Sequence, residues 1–214
     1  MSQRIQELRE NYSYATLDRA DLHDDPLLQF KKWFDEALNA EISEPNAMIL
    51  STTDGDRVYS RVVLLKELTE EGFIFYTNYE SAKGQQIDQH AQVAITFLWK
   101  EIERQVRIEG IAQRVSQEKS EEYFKSRPKG SQIGAWVSSQ SSIIEDRSIL
   151  ETRKAELEAE YKDLHRLPKP DHWGGYLVKA DLIEFWQGRE SRLHDRFQYS
   201  ADEQGSWKIV RLAP

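Results

Sequence analysis

The sequence predicts a mainly β protein with peripheral helices, of the α+β class, in which antiparallel strands close into a barrel. Short runs rich in Val, Ile, Phe and Thr follow one another between residues 47 and 115, separated by Gly, Asp or polar turns. Stretches in which apolar residues recur at helical spacing lie before and after these runs. A chain of 214 residues is long enough for one well-filled core, and barrels of this length commonly remain undivided.

Five strands are predicted in this region. They are AMILSTT, RVYSRVVLLKEL, GFIFYTN, QVAITFLW and RQVRIEGIAQRV. Their succession favours an antiparallel meander that closes into a barrel. Residues 173–214 contain further runs of the same kind, which indicate a return to strands.

Four helices are predicted around the strands. The first should end near Pro45, and its buried stripe would comprise Leu27, Phe30, Phe34 and Leu38. A short helix is predicted within ESAKGQQIDQH. Another should begin after Ser116, whose side chain can cap it, and end at Pro128. The longest is predicted within SILETRKAELEAEYKDLH.

Composition excludes several classes of protein. The formal net charge of -8 argues against binding to nucleic acids or anionic membranes, which requires a broad basic surface. The chain has no cysteine, so disulfides, a thiolate nucleophile and zinc-thiolate sites are excluded. No stretch has the length and apolarity of a membrane span, and the first residues do not resemble a signal peptide. We expect a cytoplasmic protein with local anion sites.

One stretch, FWQGRESRLHDRF, concentrates basic side chains at Arg189, Arg192, His194 and Arg196. If residues 191–198 form a strand, the last three of these side chains project to one face. Like charges so placed repel one another, which favours a bound anion between them. The alternative is a solvated edge that nearby Asp and Glu residues neutralise.

Three further segments carry polar groups suited to anions. In SRVVLLK, Arg61 and Lys66 would lie on opposite faces of a regular strand, so one of them should be near a strand end or bulge. Lys83 lies near the start of a short helix, where backbone N–H groups favour phosphate. Tyr123 and Arg127 are one helical turn apart. Considered alone, a lysine such as Lys83 is more often a surface charge. The segment that contains Tyr123 and Arg127, considered alone, is more simply explained as a polar helix end followed by a loop.

The order and spacing of RVVLLK, FYTNYESAKG, RQVRIEG, YFKSRPKGSQIGAWVSSQSS, WGGY, EFWQG, RLHDRF and WKIVRLAP closely resemble the pyridoxine (pyridoxamine) 5'-phosphate oxidase family. The resemblance extends from about Leu8 to Pro214. It implies a homodimer of FMN-binding split β-barrels, with the flavin at the subunit interface and two sites per dimer. It also implies a mobile N-terminal segment over residues 1–20 that covers the site, and a single domain over residues 21–214.

The resemblance assigns site residues by motif. The implied FMN contacts are Arg61, Val62, Val63, Leu64, Leu65, Lys66, Tyr76, Thr77, Lys83, Gln105, Gln140, Ser141, Trp186 and Arg196. The implied substrate contacts are Arg9, Tyr12, Lys66, Tyr123, Arg127, Ser131, Arg192 and His194, of which the last two would be catalytic. Two departures from the family pattern are Ala82, where a second basic residue is common before the phosphate turn, and Glu10 in the covering segment.

The implied reaction oxidises pyridoxine or pyridoxamine 5'-phosphate to pyridoxal 5'-phosphate. Hydride would pass from the 4' carbon to the flavin, and dioxygen would reoxidise the flavin to give hydrogen peroxide, with ammonia released from the amine. Two alternatives remain open: another flavin enzyme on the same barrel, and a non-enzymatic module that binds FMN or pyridoxal phosphate. The chain has neither a dinucleotide-binding nor a P-loop motif, and no His spacing that indicates a metal.

Overall fold

The structure is a computed structural model that describes residues 7, 10–202 and 204–214. Its strands are β1 (Ala47–Thr53), β2 (Val58–Leu64), β3 (Glu67–Thr69), β4 (Gly72–Asn78), β5 (Gln92–Trp99), β6 (Arg104–Arg114), β7 (Trp173–Gln187), β8 (Asp195–Ala201) and β9 (Trp207–Leu212). Its α-helices are α1 (Pro26–Asn39), α2 (Ala82–Gln89), α3 (Gln117–Ser126), α4 (Lys129–Val137) and α5 (Ser148–Glu160). The prediction of a mainly β protein with peripheral helices is confirmed.

The strands follow the hydrogen-bonded order β2-β1-β5-β6-β7-β4-β3, and β8 pairs with both β7 and β9. Strands β4 and β7 pair with each other in antiparallel orientation, with Phe75 opposite Tyr176 and Thr77 opposite Gly174. The prediction of a simple meander is wrong, because β4 pairs with β3 and β7 and does not lie beside β5. The order of strands along the sequence does not determine which strands pair in the sheet, because a strand can pair with one that lies far away in the sequence.

The chain divides into two compact units. The first comprises residues 1–50, 94–110 and 180–214, and the second residues 51–93 and 111–179. The expectations of one domain over residues 21–214 and of a separate N-terminal segment stay predictions. No described helix is long and apolar enough to cross a membrane.

Aromatic packing forms the core of the first unit. Phe30 of α1 packs on Phe97 with 5.0 Å between ring centroids, and Trp33 meets Phe185 edge-on at 5.1 Å. Helix α1 begins where Asp25 accepts hydrogen bonds from the first-turn amides, next to a proline, which has no N–H that needs an acceptor. The predicted buried stripe is wrong at its end, because Leu38 is half-exposed and the helix ends at Asn39.

The second unit contains a separate apolar cluster, formed by Phe124, Ile133, Leu157, Leu167 and Trp173. Helix α3 begins directly after Ser116, as predicted, and the serine side chain caps it by accepting from Lys119 N. Residues 129–137 form helix α4, whereas a loop was the simplest interpretation of that stretch. The buried side chain of Ile133 explains the difference, since it anchors α4 against this cluster.

The basic stretch after β7 is a loop over most of its length. Residues Glu190–Arg192 form one 3-10 turn in which Ser191 and Arg192 have φ values of 55° and 62°, and β8 begins only at Asp195. Left-handed residues cannot continue an extended strand. Of the strand considered for residues 191–198, only residues 195–198 are therefore extended, and the three basic side chains do not share one strand face.

Gly84 provides a test of how α2 is seated in the second unit. A Cβ at this position would lie 2.0 Å from the Tyr79 carbonyl oxygen. Gly84→Ala should therefore lower the free energy of unfolding by about 1–3 kcal/mol, measured by chemical denaturation. Gly130→Ala is the matched control, because nothing lies within 4 Å of its Cβ, and it should cost no stability. Equal effects of the two substitutions would contradict the close packing at Gly84.

Candidate active site

The second unit contains a cavity of about 490 Å³, here called the large cavity. Four cationic side chains line it: Arg61, Lys66, Lys83 and Arg127. No Asp or Glu is among the described residues that line it. Strand β2 supplies Arg61, and Lys66 follows the end of that strand, which confirms the prediction that one of the pair lies at a strand end. A cavity lined by four cationic side chains, with no acidic side chain among its described lining residues, favours an anionic ligand.

Neutral oxygen atoms hold the amine of Lys83. Its Nζ donates to Gln140 Oε1 at 2.9 Å, to Thr77 Oγ1 at 3.1 Å and to Ser81 Oγ at 3.3 Å. The hydroxyl of Ser81 also caps α2 by accepting from Gly84 N, which fixes the turn that carries the lysine. Burial, followed by repulsion from Arg61, lowers the pKa of Lys83 to about 8.

Arg127 has a buried donor without an acceptor. Its Nη1 has no hydrogen-bond partner among the described residues, and its guanidinium lies 4.6 Å from the ring centroid of Trp173. Burial lowers the pKa of Arg127, although Tyr123 opposes this shift. A buried guanidinium N–H without an acceptor is costly, so the site fits a ligand oxygen at this position.

Stacked rings form one wall of the large cavity. Tyr76 and Tyr123 lie 4.0 Å apart at 19°, and Tyr76 and Trp173 lie 5.4 Å apart at 11°. Tyr76 belongs to β4 and Trp173 begins β7, which is its neighbour in the sheet. This stack gives α3 a rigid platform, so the side chains at the end of α3 are held in place. The wall and the cations together suit a phosphate attached to a flat ring.

The first unit contains a second cavity of about 450 Å³, here called the loop cavity. Its lining residues are Glu10, Asn11, Tyr12, Trp186, Arg189, Ser191, Arg192 and His194. The ring of Tyr12 meets Trp186 edge-on at 5.8 Å and His194 at 5.5 Å. The rings of His194 and Trp186 are 4.5 Å apart. Two arginines and an imidazole thus lie beside an indole.

The imidazole of His194 is constrained at one nitrogen. Its Nδ1 accepts a hydrogen bond from the backbone N–H of Arg189 at 3.1 Å. Burial and then the charge of Arg192 lower the pKa of His194, while Asp195 acts in the opposite direction. The neutral ring is therefore favoured, with its proton on Nε2.

Comparison with known proteins identifies the family. The family model described as pyridoxamine 5'-phosphate oxidase matches residues 34–160, and the one described as the pyridoxine 5'-phosphate oxidase C-terminal dimerisation region matches residues 173–214. The pyridoxine/pyridoxamine 5'-phosphate oxidase of Salinibacter ruber is 51% identical over 213 residues, covering 99% of each chain. The chain belongs to the pyridoxamine 5'-phosphate oxidase family. The enzyme of the same name from Burkholderia mallei is 50% identical over 98% of this chain and 99% of that one.

Solved structures agree with this membership. PhzG from Burkholderia lata, in complex with tetrahydrophenazine-1-carboxylic acid, superposes with a TM-score of 0.89 at 28% identity, covering 96% of this chain and all of the other. A pyridoxamine 5'-phosphate oxidase-related, FMN-binding protein from Nostoc punctiforme has a TM-score of 0.70 at 16% identity, covering 86% and 97%, and so supports the fold alone. The predictions of an oxidoreductase of this family and of an antiparallel split β-barrel are confirmed.

Most residues assigned by the family resemblance line one of the two cavities. The large cavity contains Arg61, Val62, Val63, Leu64, Lys66, Tyr76, Thr77, Lys83, Tyr123, Arg127, Ser131 and Gln140. The loop cavity contains Tyr12, Trp186, Arg192 and His194. Four assigned residues line neither cavity: Leu65, Gln105, Ser141 and Arg196. Arg9 lies outside the described residues.

Several lining residues were not assigned as ligand contacts from the sequence. Asn78, Gly134, Ala135, Ser138 and Trp173 line the large cavity, and Glu10, Asn11, Arg189 and Ser191 line the loop cavity. Trp173 is the first residue of the WGGY motif and Arg189 belongs to the basic stretch, so both lie in sequence features that pointed to the site. Arg196, in contrast, bonds to Glu184 Oε1 through Nε at 2.8 Å and to the Ala213 carbonyl through Nη1 at 2.8 Å.

Substitution of Arg127 tests the anion site. Arg127→Met breaks no hydrogen bond at the unpartnered Nη1, so we expect it to cost the ligand-free protein about 1 kcal/mol or less, against 3–5 kcal/mol for breaking a buried ion pair. It should, however, reduce the stabilisation that inorganic phosphate gives the wild type in thermal unfolding, leaving only the part that is due to Arg61 and Lys83. Arg153→Met, on the exposed side of α5, is the control and should retain that stabilisation. Equal stabilisation of Arg127→Met and wild type would exclude Arg127 from the anion site.

Proposed function

We propose that the protein oxidises pyridoxine 5'-phosphate and pyridoxamine 5'-phosphate to pyridoxal 5'-phosphate, with FMN as cofactor and dioxygen as electron acceptor. The alcohol and dioxygen would give the aldehyde and hydrogen peroxide. The amine would also consume water and release ammonia. The observation that carries this proposal is the large cavity, whose described lining residues include four cationic side chains and no acidic one. Both the cofactor and the substrate carry a phosphate dianion.

The cations divide into two groups for these two phosphates. Arg61 and Lys83 lie close enough for Arg61 to lower the pKa of Lys83, and we assign both to the FMN phosphate. Arg61 is held by Thr52 Oγ1 at 2.7 Å, so its guanidinium is oriented before any ligand arrives. Arg127, with Lys66, Tyr123 and Ser131, is assigned to the substrate phosphate. Each charge-assisted hydrogen bond would contribute about 1.5–3 kcal/mol.

We assign groups of the loop cavity to the reacting end of the substrate. Bound FMN would accept the hydride from the 4' carbon and pass its electrons to dioxygen. Arg192 and His194 would hold the substrate ring in the orientation that this transfer needs. Trp186 and Arg196 are assigned to the flavin, and Tyr12, with Arg9, to the cover over the site. The neutral state of His194 suits a hydrogen-bond donor.

We further propose that the protein acts as a homodimer, with FMN at the subunit interface and two sites per dimer. The description of the C-terminal family model as a dimerisation region supports a dimer. A cytoplasmic location stays a prediction. A phenazine precursor, such as the ligand of PhzG, is a less favoured substrate, because that carboxylic acid offers no phosphate for the large cavity.

The direct test uses purified protein reconstituted with FMN. We expect oxygen consumption and aldehyde formation with pyridoxine and pyridoxamine 5'-phosphates, and at least about tenfold lower kcat/KM with the unphosphorylated vitamers, since one charge-assisted bond accounts for that factor. Arg192→Met should retain FMN and lose turnover, whereas Lys83→Met should weaken FMN affinity by about 10- to 100-fold. Flavin binding without oxidation of either phosphate would support a non-enzymatic module. Faster oxidation of tetrahydrophenazine-1-carboxylic acid would support the other flavin enzyme.

The pKa of Lys83 predicts how FMN affinity depends on pH. In ligand-free protein the amine is protonated below pH 8 and neutral above it. A bound phosphate dianion favours the ammonium form and raises this pKa, so binding above pH 8 takes up a proton. The Kd for FMN should therefore be constant from about pH 7 to 8 and rise by up to tenfold per pH unit above that, measured by quenching of flavin fluorescence. Riboflavin, which lacks the phosphate, and Lys83→Met should show no such rise, and a flat FMN profile in the wild type would contradict the assignment.

A further inference from the structure

The loop that carries Arg192 and His194 is strained and needs an anchor. Ser191 and Arg192 both have left-handed backbone conformations, with φ of 55° and 62°, and neither is a glycine. Each such residue costs on the order of 1 kcal/mol and persists only where its surroundings impose it. The loop begins with Gly188, whose N–H donates to the Glu103 carbonyl at 2.7 Å. That bond fixes the first residue of the loop. Other contacts must stabilise the turn at Ser191 and Arg192.

Asp195, at the start of β8, is the other anchor. Its nearly buried carboxylate accepts from Arg189 Nη1 at 2.8 Å, from Arg211 Nη1 at 2.7 Å and from Leu17 N at 3.1 Å. Burial alone would raise the pKa of Asp195, but these hydrogen bonds outweigh it and the pKa is lowered. One carboxylate thus connects the loop, the C-terminal strand β9 and the N-terminal segment.

Arg189 connects this anchor to the imidazole. Its guanidinium bonds to Asp195, and its backbone N–H donates to His194 Nδ1 at 3.1 Å. An Nδ1 that accepts from an amide cannot take a proton without losing that bond. The ring must then carry its proton on Nε2, while Trp186 and Tyr12 pack against it. The described charged groups around the ring are Arg189 and Arg192 of its own loop, Asp195 of β8 and Glu10 of the N-terminal segment.

We propose that Asp195 and Arg189 are a positioning pair, which holds His194 as a neutral, Nε2-protonated hydrogen-bond donor in the loop cavity. In this arrangement His194 orients the substrate and does not carry a proton during the reaction. The inference rests on the proposed function for its kinetic consequence, but the state of the ring can be measured without turnover. Asp195 would act through Arg189 and His194, without touching a ligand itself.

The ring state is tested by long-range ¹H–¹⁵N spectra of protein labelled at its five histidines, with His194→Gln used to assign the signal. We expect His194 in the FMN-loaded wild type to be the Nε2–H tautomer at about pH 7 and above, since its pKa lies below the ordinary value of about 6.5. An Nδ1–H tautomer or an imidazolium at that pH would overturn the proposal. That result would leave the oxidase function intact, whereas absence of oxidation with the expected tautomer would overturn only the function.

Substitutions test the pair. Asp195→Asn should produce a mixture of His194 tautomers and lower kcat by about tenfold or more, with FMN affinity unchanged within about twofold. Arg189→Met should have the same effect on the tautomers, and it tests the pair even if Asp195→Asn fails to fold. Arg189→Lys keeps the cation and should restore the wild-type spectrum at least in part.

The matched control is Asp18→Asn. Asp18 also bonds to Arg211, but through Nη2, and among the described residues Arg189 pairs with Asp195 and is not seen paired with Asp18. This variant should therefore match the wild type in its His194 spectrum and its kcat. If Asp195→Asn and Arg189→Met both keep the wild-type tautomer, or if Asp18→Asn changes it equally, Asp195 and Arg189 are not the positioning pair.

Discussion

The large cavity depends on four positive charges that lie together without an acidic side chain among the described residues that line it. Removing a charged group from water costs several kcal/mol unless a counter-charge or hydrogen bonds compensate. Here the compensation comes from neutral oxygens around Lys83 and from the ring of Trp173 beside Arg127. Such partners hold a cation in place without cancelling its charge. The charge thus stays available for a ligand, and the free-energy cost of desolvating these cations lowers the stability of the ligand-free protein.

Neutral partners for cations are a feature of this cavity and not of the whole protein. The chain has 37 acidic residues, and many of its cations form ion pairs with them elsewhere. Arg104 bonds to Glu36, Arg107 to Glu184, and Arg114 to Asp88. Those pairs connect parts of the same unit and contribute to the fold. A cation that faces an Asp or Glu has little attraction left for phosphate, so excluding acids from one cavity separates binding cations from structural ones.

How much the sequence could predict depended on the range of the interactions involved. The bounds of β1 and β4 follow from β-branched and aromatic runs between turn residues, and the start of α3 follows from the cap at Ser116. These are local effects. The place of β4 between β3 and β7 depends on pairing with residues about 100 positions away, which no local pattern records. The family motifs located most cavity residues, since such motifs retain the result of long-range folding.

The basic stretch after β7 shows a different limit. Alternation of Arg192, His194 and Arg196 suggested a strand, but Ser191 and Arg192 turn the chain with left-handed backbone that non-glycine sequences rarely indicate. The consequence is functional, because a regular strand would have placed all three side chains on one face. The turn instead places Arg192 and His194 in the loop cavity, while Arg196 in β8 bonds to the buried Glu184. A loop can orient side chains as firmly as a strand only if it is anchored at both ends, and the carboxylate of Asp195 is where this loop meets the rest of its unit.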